Sequence, residues 1–475
     1  MRRRVALGFA GGGLLALLLI VGPLITFAQV PTQSYISSVG LFNLSDQEAT
    51  ILFQYYWEEN VPGVGGTIAA SVPATLAGNT GATYWAEAPD GFVGSLVIYS
   101  DQTLNAQSNV NSAGAGTNLW ASSEGFEEGA STMYAPVILR NNGGFSSWFA
   151  VQNVGDEDAT VMVDFRAGTS GNDDVDGPFD ISPGAMMLFN QQTDDELGSN
   201  FVGAAVISST NAISLAATIN LENTTTQKAL QTYQGFAEGS GGSTAAFPII
   251  LADNGSCNTA IQLQNMGTAA TDITVTYGPN EQGPFAPVAE TQYSIQPGDQ
   301  AIFRQWVGQW SGTDRYVGSA MATSSGEPLV GVLNQLCSTT PYMALSYSSL
   351  NPDAATSKVI VPLAMCDNGD QYTAIQVQSV GAVSTLVTVD YQPGPGFTYE
   401  PDDETSGALS QGDGAIFRQW VDQWTDPAKN NGQRWKGSAV VTSTGDVPIV
   451  AVVTIIQNPR GGDTLMAYNG TNVEP

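Results

Sequence analysis

The chain has 475 residues, of which 14 are Lys or Arg and 44 are Asp or Glu, giving a formal net charge of −30, and it contains no histidine. That balance excludes a nucleic-acid partner, because phosphate binding needs clustered Lys and Arg, and the missing imidazole excludes Ser-His-Asp and Cys-His catalysis and every His-ligated metal. A hydrophobic share of 42% fills the cores of about three or four ordinary domains, while a charged share of only 12% leaves Ser, Thr, Asn, Gln and Gly to supply strand faces and tight turns.

Residues 1–28 read as a signal peptide or N-terminal anchor helix. Arg2, Arg3 and Arg4 form a positive start, Val5 to Ile25 is mostly apolar, and Thr26-Phe27-Ala28 offers small residues before a cut that leaves Gln29 first. The apolar run is long for a signal, so an uncleaved membrane anchor is the alternative. No cysteine lies near the cut, which excludes a lipoprotein, and a general secretory route to the cell surface or exterior is expected. Removal would take three of the basic residues and no acidic one, leaving a still more acidic chain.

The remainder repeats itself. Pro136-Val137-Ile138-Leu139, Pro248-Ile249-Ile250-Leu251 and Pro362-Leu363-Ala364-Met365 each precede an Asn-Gly pair at constant distance, at 142–143, 254–255 and 368–369. Asn-Gly between apolar runs predicts a hairpin. The returning strand carries FAVQNVG, IQLQNMG or IQVQSVG, and an alternating run follows in which Val161, Val163 and Phe165, or Ile273, Val275 and Tyr277, or Val387, Val389 and Tyr391, share one face. A diverged first copy keeps the register with Asn43 and with Ile51, Phe53 and Tyr55. A further ungapped block starts at Ile181, Ile295 and Leu409, and its Pro-Gly or Gln-Gly predicts a type II turn into another strand. Phe92-Val93-Gly94, Phe201-Val202-Gly203, Tyr316-Val317-Gly318 and Trp435-Lys436-Gly437 open the final strands, which close around Trp120, Tyr233, Tyr347 and Tyr468.

Seven or eight short strands per copy predict an all-β protein of four tandem antiparallel β-sandwich repeats, at 29–126, 127–236, 237–350 and 351–475, joined by short linkers into a semi-extended array. These turn and strand motifs resemble the immunoglobulin-like, adhesion-related repeats of bacterial cell-surface proteins. The resemblance covers nearly all of the chain after residue 28 as an architecture, lacks the Cys-Trp-Cys arrangement of true immunoglobulin domains, and implies display, adhesion or assembly rather than catalysis. A cell-surface polymer, a glycan or further copies of the chain are the expected partners, with membrane contact only through an uncleaved N-terminal segment.

Three groups of residues carry the remaining chemistry. Trp306 and Trp310 beside Arg304, and Trp420 and Trp424 beside Arg418, form WVxQW blocks whose four-residue spacing suits one helical turn; they are candidate platforms for stacking on sugar rings, against a plug for the sandwich end as the competing reading. Asp173, Asp174, Asp176 and Asp180 crowd a Gly-flanked loop with hard oxygen donors and make a candidate calcium site, although the EF-hand spacing is missing and a solvated loop is the plainer reading; no other cofactor is expected. Paired carboxylates elsewhere, such as Asp402, Asp403 and Glu404, leave glycoside hydrolysis a distant third function. Cys257 and Cys337 fall in one copy and are the first candidates for a disulfide, with Cys337 to Cys366 as the alternative.

Overall fold

The computed structural model describes residues 14–20, 35–112, 118–126, 128–223, 225, 228–312, 315–338, 342–394, 396–457 and 462–473. Within them the chain is all-β, its helical content limited to three-residue 3-10 turns. The predicted alternation produces the strands. Along Ala49–Trp57 the residues Ile51, Phe53 and Tyr55 point inward and those between them stay half-buried or exposed, and Ala159–Ser170 repeats the pattern with Val161, Val163 and Phe165.

Eight sheets, antiparallel except for one two-residue parallel pairing, share four principal apolar clusters, so they stack as four face-to-face pairs. Taken in chain order, the eight main strands of each pair divide the same way. One sheet runs first, sixth, third, fourth, and the other runs fifth, second, seventh, eighth.

The expected N-terminal helix is corrected. Leu14–Ile20 is a strand, antiparallel to Val93–Ser100 with Leu14 opposite Tyr99 and Ile20 opposite Val93, and it takes the first-strand position of the first pair. An unbroken apolar run has no period to choose between helix and strand, and here an open sheet edge decides. The cut before Gln29 lies outside the described residues.

The predicted hairpins form, shifted by one residue. Asn142 exchanges both backbone bonds with Phe145, and the two residues of the turn are Gly143 and Gly144, at φ 60° and 87°. The matching turns are Gly255-Ser256 and Gly369-Asp370, all at positive φ, as a two-residue type I′ connection requires.

The linkers do not extend the pairs into an array. The four eighth strands, Asn118–Glu124, Ala229–Gln234, Met343–Ser348 and Leu465–Asn469, pack side by side around one axis, and the fourth meets the first. Closure is specific. Gly462 and Asp463 pair in parallel with Asn118 and Leu119, and the Ser122 hydroxyl donates to the Ala467 carbonyl at 3.0 Å.

Candidate functional site

Two carboxylates stand at opposite ends of the axis. Asp463 is fully buried; one of its oxygens accepts from the Leu230 N–H and the other from the Ala344 N–H, each at 2.9 Å. With its backbone partners on the first pair's eighth strand, this residue joins all four pairs. Burial pushes its carboxyl well above the usual carboxylate range, and the N–H donors only partly oppose that. At the other end Glu124 accepts from the Asn469 N–H at 2.9 Å, and its carbonyl accepts from the Gln234 side chain at 2.6 Å. Its side chain keeps a little solvent contact, but the atoms packed around it raise its pKa to about 7. At the Glu124 end lies a cavity of about 20 Å³ lined by Glu124 itself and by Ser123, Tyr233, Tyr347 and Tyr468, one of these four from each pair. The three tyrosines are tied down. Their hydroxyls donate to the carbonyls of Val137, Ile249 and Leu363 at 2.7, 3.2 and 2.5 Å, each being the residue after the first-strand proline. The first pair has Ser123 there, so Trp120 is not the counterpart of these tyrosines.

The pairs meet in seams that reuse one geometry. In the first and third seams, a serine of the sixth strand reaches a turn glycine of the next pair: Ser95 donates to the Gly184 carbonyl at 2.5 Å, and Ser319 to that of Gly412 at 2.6 Å. In the second and third seams, Gln264 donates to the Ala205 carbonyl at 3.1 Å and Gln378 to the Ala320 carbonyl at 3.0 Å. Apolar side chains join in, with Ile302 of the third pair packing into the second pair's core and Ile416 of the fourth against the third's.

The fourth seam differs. The outward positions of the first pair's fifth, second and seventh strands are Gly81, Thr83 and Trp85; Ile36, Ser38, Gly40 and Phe42; and Asn105, Gln107, Asn109 and Asn111. Thr83 and Trp85 are exposed, whereas the residues at the equivalent positions of the third pair, Ile302 and Arg304, are buried and half-buried. Across the seam Lys436 is exposed and Ser438 half-buried, where Val317 and Ser319 of the third pair are buried. Asn105 donating to the Thr471 hydroxyl at 2.8 Å is a contact between these walls.

The WVxQW blocks separate their two rings. A 3-10 turn begins only after Val307 and Val421, so the tryptophans do not share a face. Trp310 and Trp424 are buried, 3% and 0% exposed, and meet Tyr277, Phe285 and Tyr316, or Tyr391, Tyr399 and Trp435, edge to face. Their indole N–H groups donate to Glu290 at 3.1 Å and Glu404 at 3.3 Å, and the same carboxylates accept from Tyr277 at 2.6 Å and Tyr391 at 2.7 Å. The intervening Gln309 and Gln423 clip the backbone of Val288 and Asp402 through two bonds each. Trp306 is 40% exposed at the rim and Trp420 half-buried. Arg418 pairs with Glu281 of the preceding pair at 3.7 Å, and Arg304 makes no ion pair among the described residues.

The four aspartates proposed for calcium do not converge. Asp174, Asp176 and Asp180 are spread along the strand Asp174–Ile181, the Asp180 carboxylate accepts from the Thr160 hydroxyl at 2.8 Å, and Asp173 accepts from the Ala167 N–H at 2.8 Å. Among the described residues no three acidic or cysteine side chains are grouped as a metal requires. Asp176 instead lies near Asp194, whose pKa rises to about 6 through burial first and the Asp176 charge second. Cys257 and Cys337 are direct register partners and are bridged, while Cys366 is a buried free thiol raised to about 11, mainly by burial. Sequence reasoning missed Glu124, Asp463 and the exposure of Trp85. All three depend on which pairs become neighbours, and strand alternation within a copy does not carry that.

No family model matches the chain, and no curated protein matches it. Among solved structures, a chain described as the crystal structure of Thermotoga maritima 1070 aligns at 12% identity and a TM-score of 0.19, covering 25% of this chain and 97% of that one.

Proposed function

We propose that this is an exported, non-catalytic structural or adhesive protein of a cell surface, envelope layer or extracellular matrix, built from four copies of one immunoglobulin-like sandwich repeat. The observation that carries the reading is the junction of four eighth strands. Asp463 ties the copies at one end of the axis and Glu124 links three of them at the other, which makes a stiff body whose outer strands and rims are free to hold a polymer or another copy. The bridge between Cys257 and Cys337 fits an oxidising compartment outside the cytosol, and the absence of histidine from the sequence favours binding over catalysis.

Fractionating producing cells and weighing the protein tests this reading. It predicts chain outside the cytosol with Cys257 and Cys337 oxidised and, because Leu14–Ile20 fills the first-strand position of the first pair, with residues 14–20 retained. Reduced, full-length chain confined to the cytosol would overturn it. A second reading, an array of carbohydrate-binding modules, has one specific support. Trp306 and Val307 remain exposed together while the partner Trp310 is buried, so a stacking surface survives at that rim.

A further inference from the structure

We infer that the open face of the first sheet pair is a binding surface for a neutral polysaccharide. The inference rests on the adhesive reading and names both the ligand class and the face. Trp85 is 60% exposed on an edge strand and has no ring partner among the described residues. An indole in that position presents one flat apolar surface to solvent, which is the surface that the C–H face of a pyranose ring covers.

The strand register sets the rest of the surface. Trp85, Ser38 and Asn109 lie in one row across three strands, and Thr83, Gly40 and Gln107 lie in the next; Trp85 and Thr83 are exposed, Asn109, Gly40 and Gln107 half-buried, and Ser38 forms the buried floor between Trp85 and Asn109. A side chain at Gly40 would meet only Gln107 atoms, at 3.9 Å and beyond, so the middle of the second row is a shallow trough rather than a packed contact. The rows span two strand spacings, roughly 10 Å, which lets a sugar strand lie flat with the ring on one side and the amides on the other. Amide side chains both donate and accept, as sugar hydroxyls demand.

Charge decides between occupants. The outward positions of these three strands hold no Asp, Glu, Lys or Arg, although the chain has 44 acidic residues. A second copy would bring its own net charge of −30, and an acidic polymer would be repelled in the same way, whereas a neutral polysaccharide is not. In the other three pairs this same face is covered by the preceding pair. Here the apolar seam residues Ile302 and Ile416 are replaced by Thr83, and the edge ends in an uncovered Trp.

Affinity electrophoresis of the full chain through gels containing β-glucan, xyloglucan, mannan, starch or dextran tests the proposal, followed by titration with the matching hexasaccharide. At least one neutral polymer is expected to retard the protein, with Trp85→Ala weakening binding about tenfold. Trp85→Tyr should keep most of the affinity and Trp306→Ala all of it. If the protein attaches to whole cells but no neutral polymer retards it, or if Trp306→Ala and Trp420→Ala abolish retardation while Trp85→Ala does not, this inference fails and the adhesive reading survives. If Trp85→Ala instead dissolves an oligomer seen by sedimentation, with no effect on glycans, the occupant is a second copy and the inference fails. A protein that holds neither cells, polymers nor itself would end both readings.

Discussion

The three sealed seams and the open fourth use equivalent strands, and a few side chains separate them. Where Ile302 and Ile416 stand on the fifth strand, a neighbouring pair covers them; where Thr83 and Trp85 stand, the face is left to solvent. The sixth strand tells the same story, with Ser95 and Ser319 fully buried against the next pair and Ser438 only half-buried. One fold therefore provides both a cohesive face and a free one. Burial of apolar surface decides which it is, at about 25 cal/mol per Å².

The sharpest way to break this comparison is to put a charge at matched positions. Ile302→Lys buries an unpaired ammonium where the native side chain is 7% exposed, and it should lower unfolding free energy by about 4 kcal/mol. Thr83→Lys, on the equivalent strand of the open face, should stay within about 0.5 kcal/mol. Urea unfolding of the two variants checks the contrast, and equal losses would mean that the fourth seam is sealed as well.

A second test addresses the axis, where all seams converge. Glu124 has its folded pKa raised from 4.5 to about 7, so its neutral form is favoured by folding. Its contribution is fully present below about pH 4.5, declines as the unfolded chain ionises, and is lost once pH passes 7. The loss amounts to at most about 3 kcal/mol before allowance for its partial solvent contact. Glu124→Gln keeps an acceptor for the Asn469 N–H and should flatten the fall in stability between pH 5 and pH 8. An unchanged slope would assign that dependence elsewhere, with Asp463, also raised, the first alternative.

Much of the fold was legible because the strands of each sheet pair spell out their own inner face. The inward sets Ile51, Phe53, Tyr55 and Val161, Val163, Phe165 are where alternation put them, and the hairpins are one residue from the predicted turn, because the first asparagine of Asn-Gly closes the ladder and the glycine opens the turn. The seams were illegible for a related reason. Gln152, Gln264 and Gln378 occupy outward positions that alternation reads as solvated, yet all three are almost completely buried between strands and neighbouring pairs. Their one distinguishing feature is that they are amides rather than charges, able to satisfy buried carbonyls without a desolvated ion. The same reasoning separates the tryptophans. Spacing could not tell the buried Trp310 and Trp424 from the rim residues Trp306 and Trp420, because the turn that carries the second ring begins two residues after the first, at Gly308 and Asp422.

The smallest expected difference is the most direct comparison of seams. Ser319→Ala removes a buried hydroxyl that donates to the Gly412 carbonyl at 2.6 Å, but that carbonyl also accepts from Gln378 at 3.0 Å and is not left unpaired. The loss should therefore be that of one ordinary hydrogen bond, about 1 kcal/mol. The second seam already carries this arrangement, since Ala204 stands in the serine's place and the Gly298 carbonyl is served by Gln264 at 2.8 Å. Ser438→Ala, at the same strand position beside the open face, removes a hydroxyl with no partner across its seam among the described residues and should change stability by less than about 0.3 kcal/mol. Paired thermal melts of the two variants resolve a gap of that size. Equal shifts would show that the fourth pair's sixth strand is held as firmly as the third's, and the distinction between cohesive and free faces would then rest on the fifth strand alone.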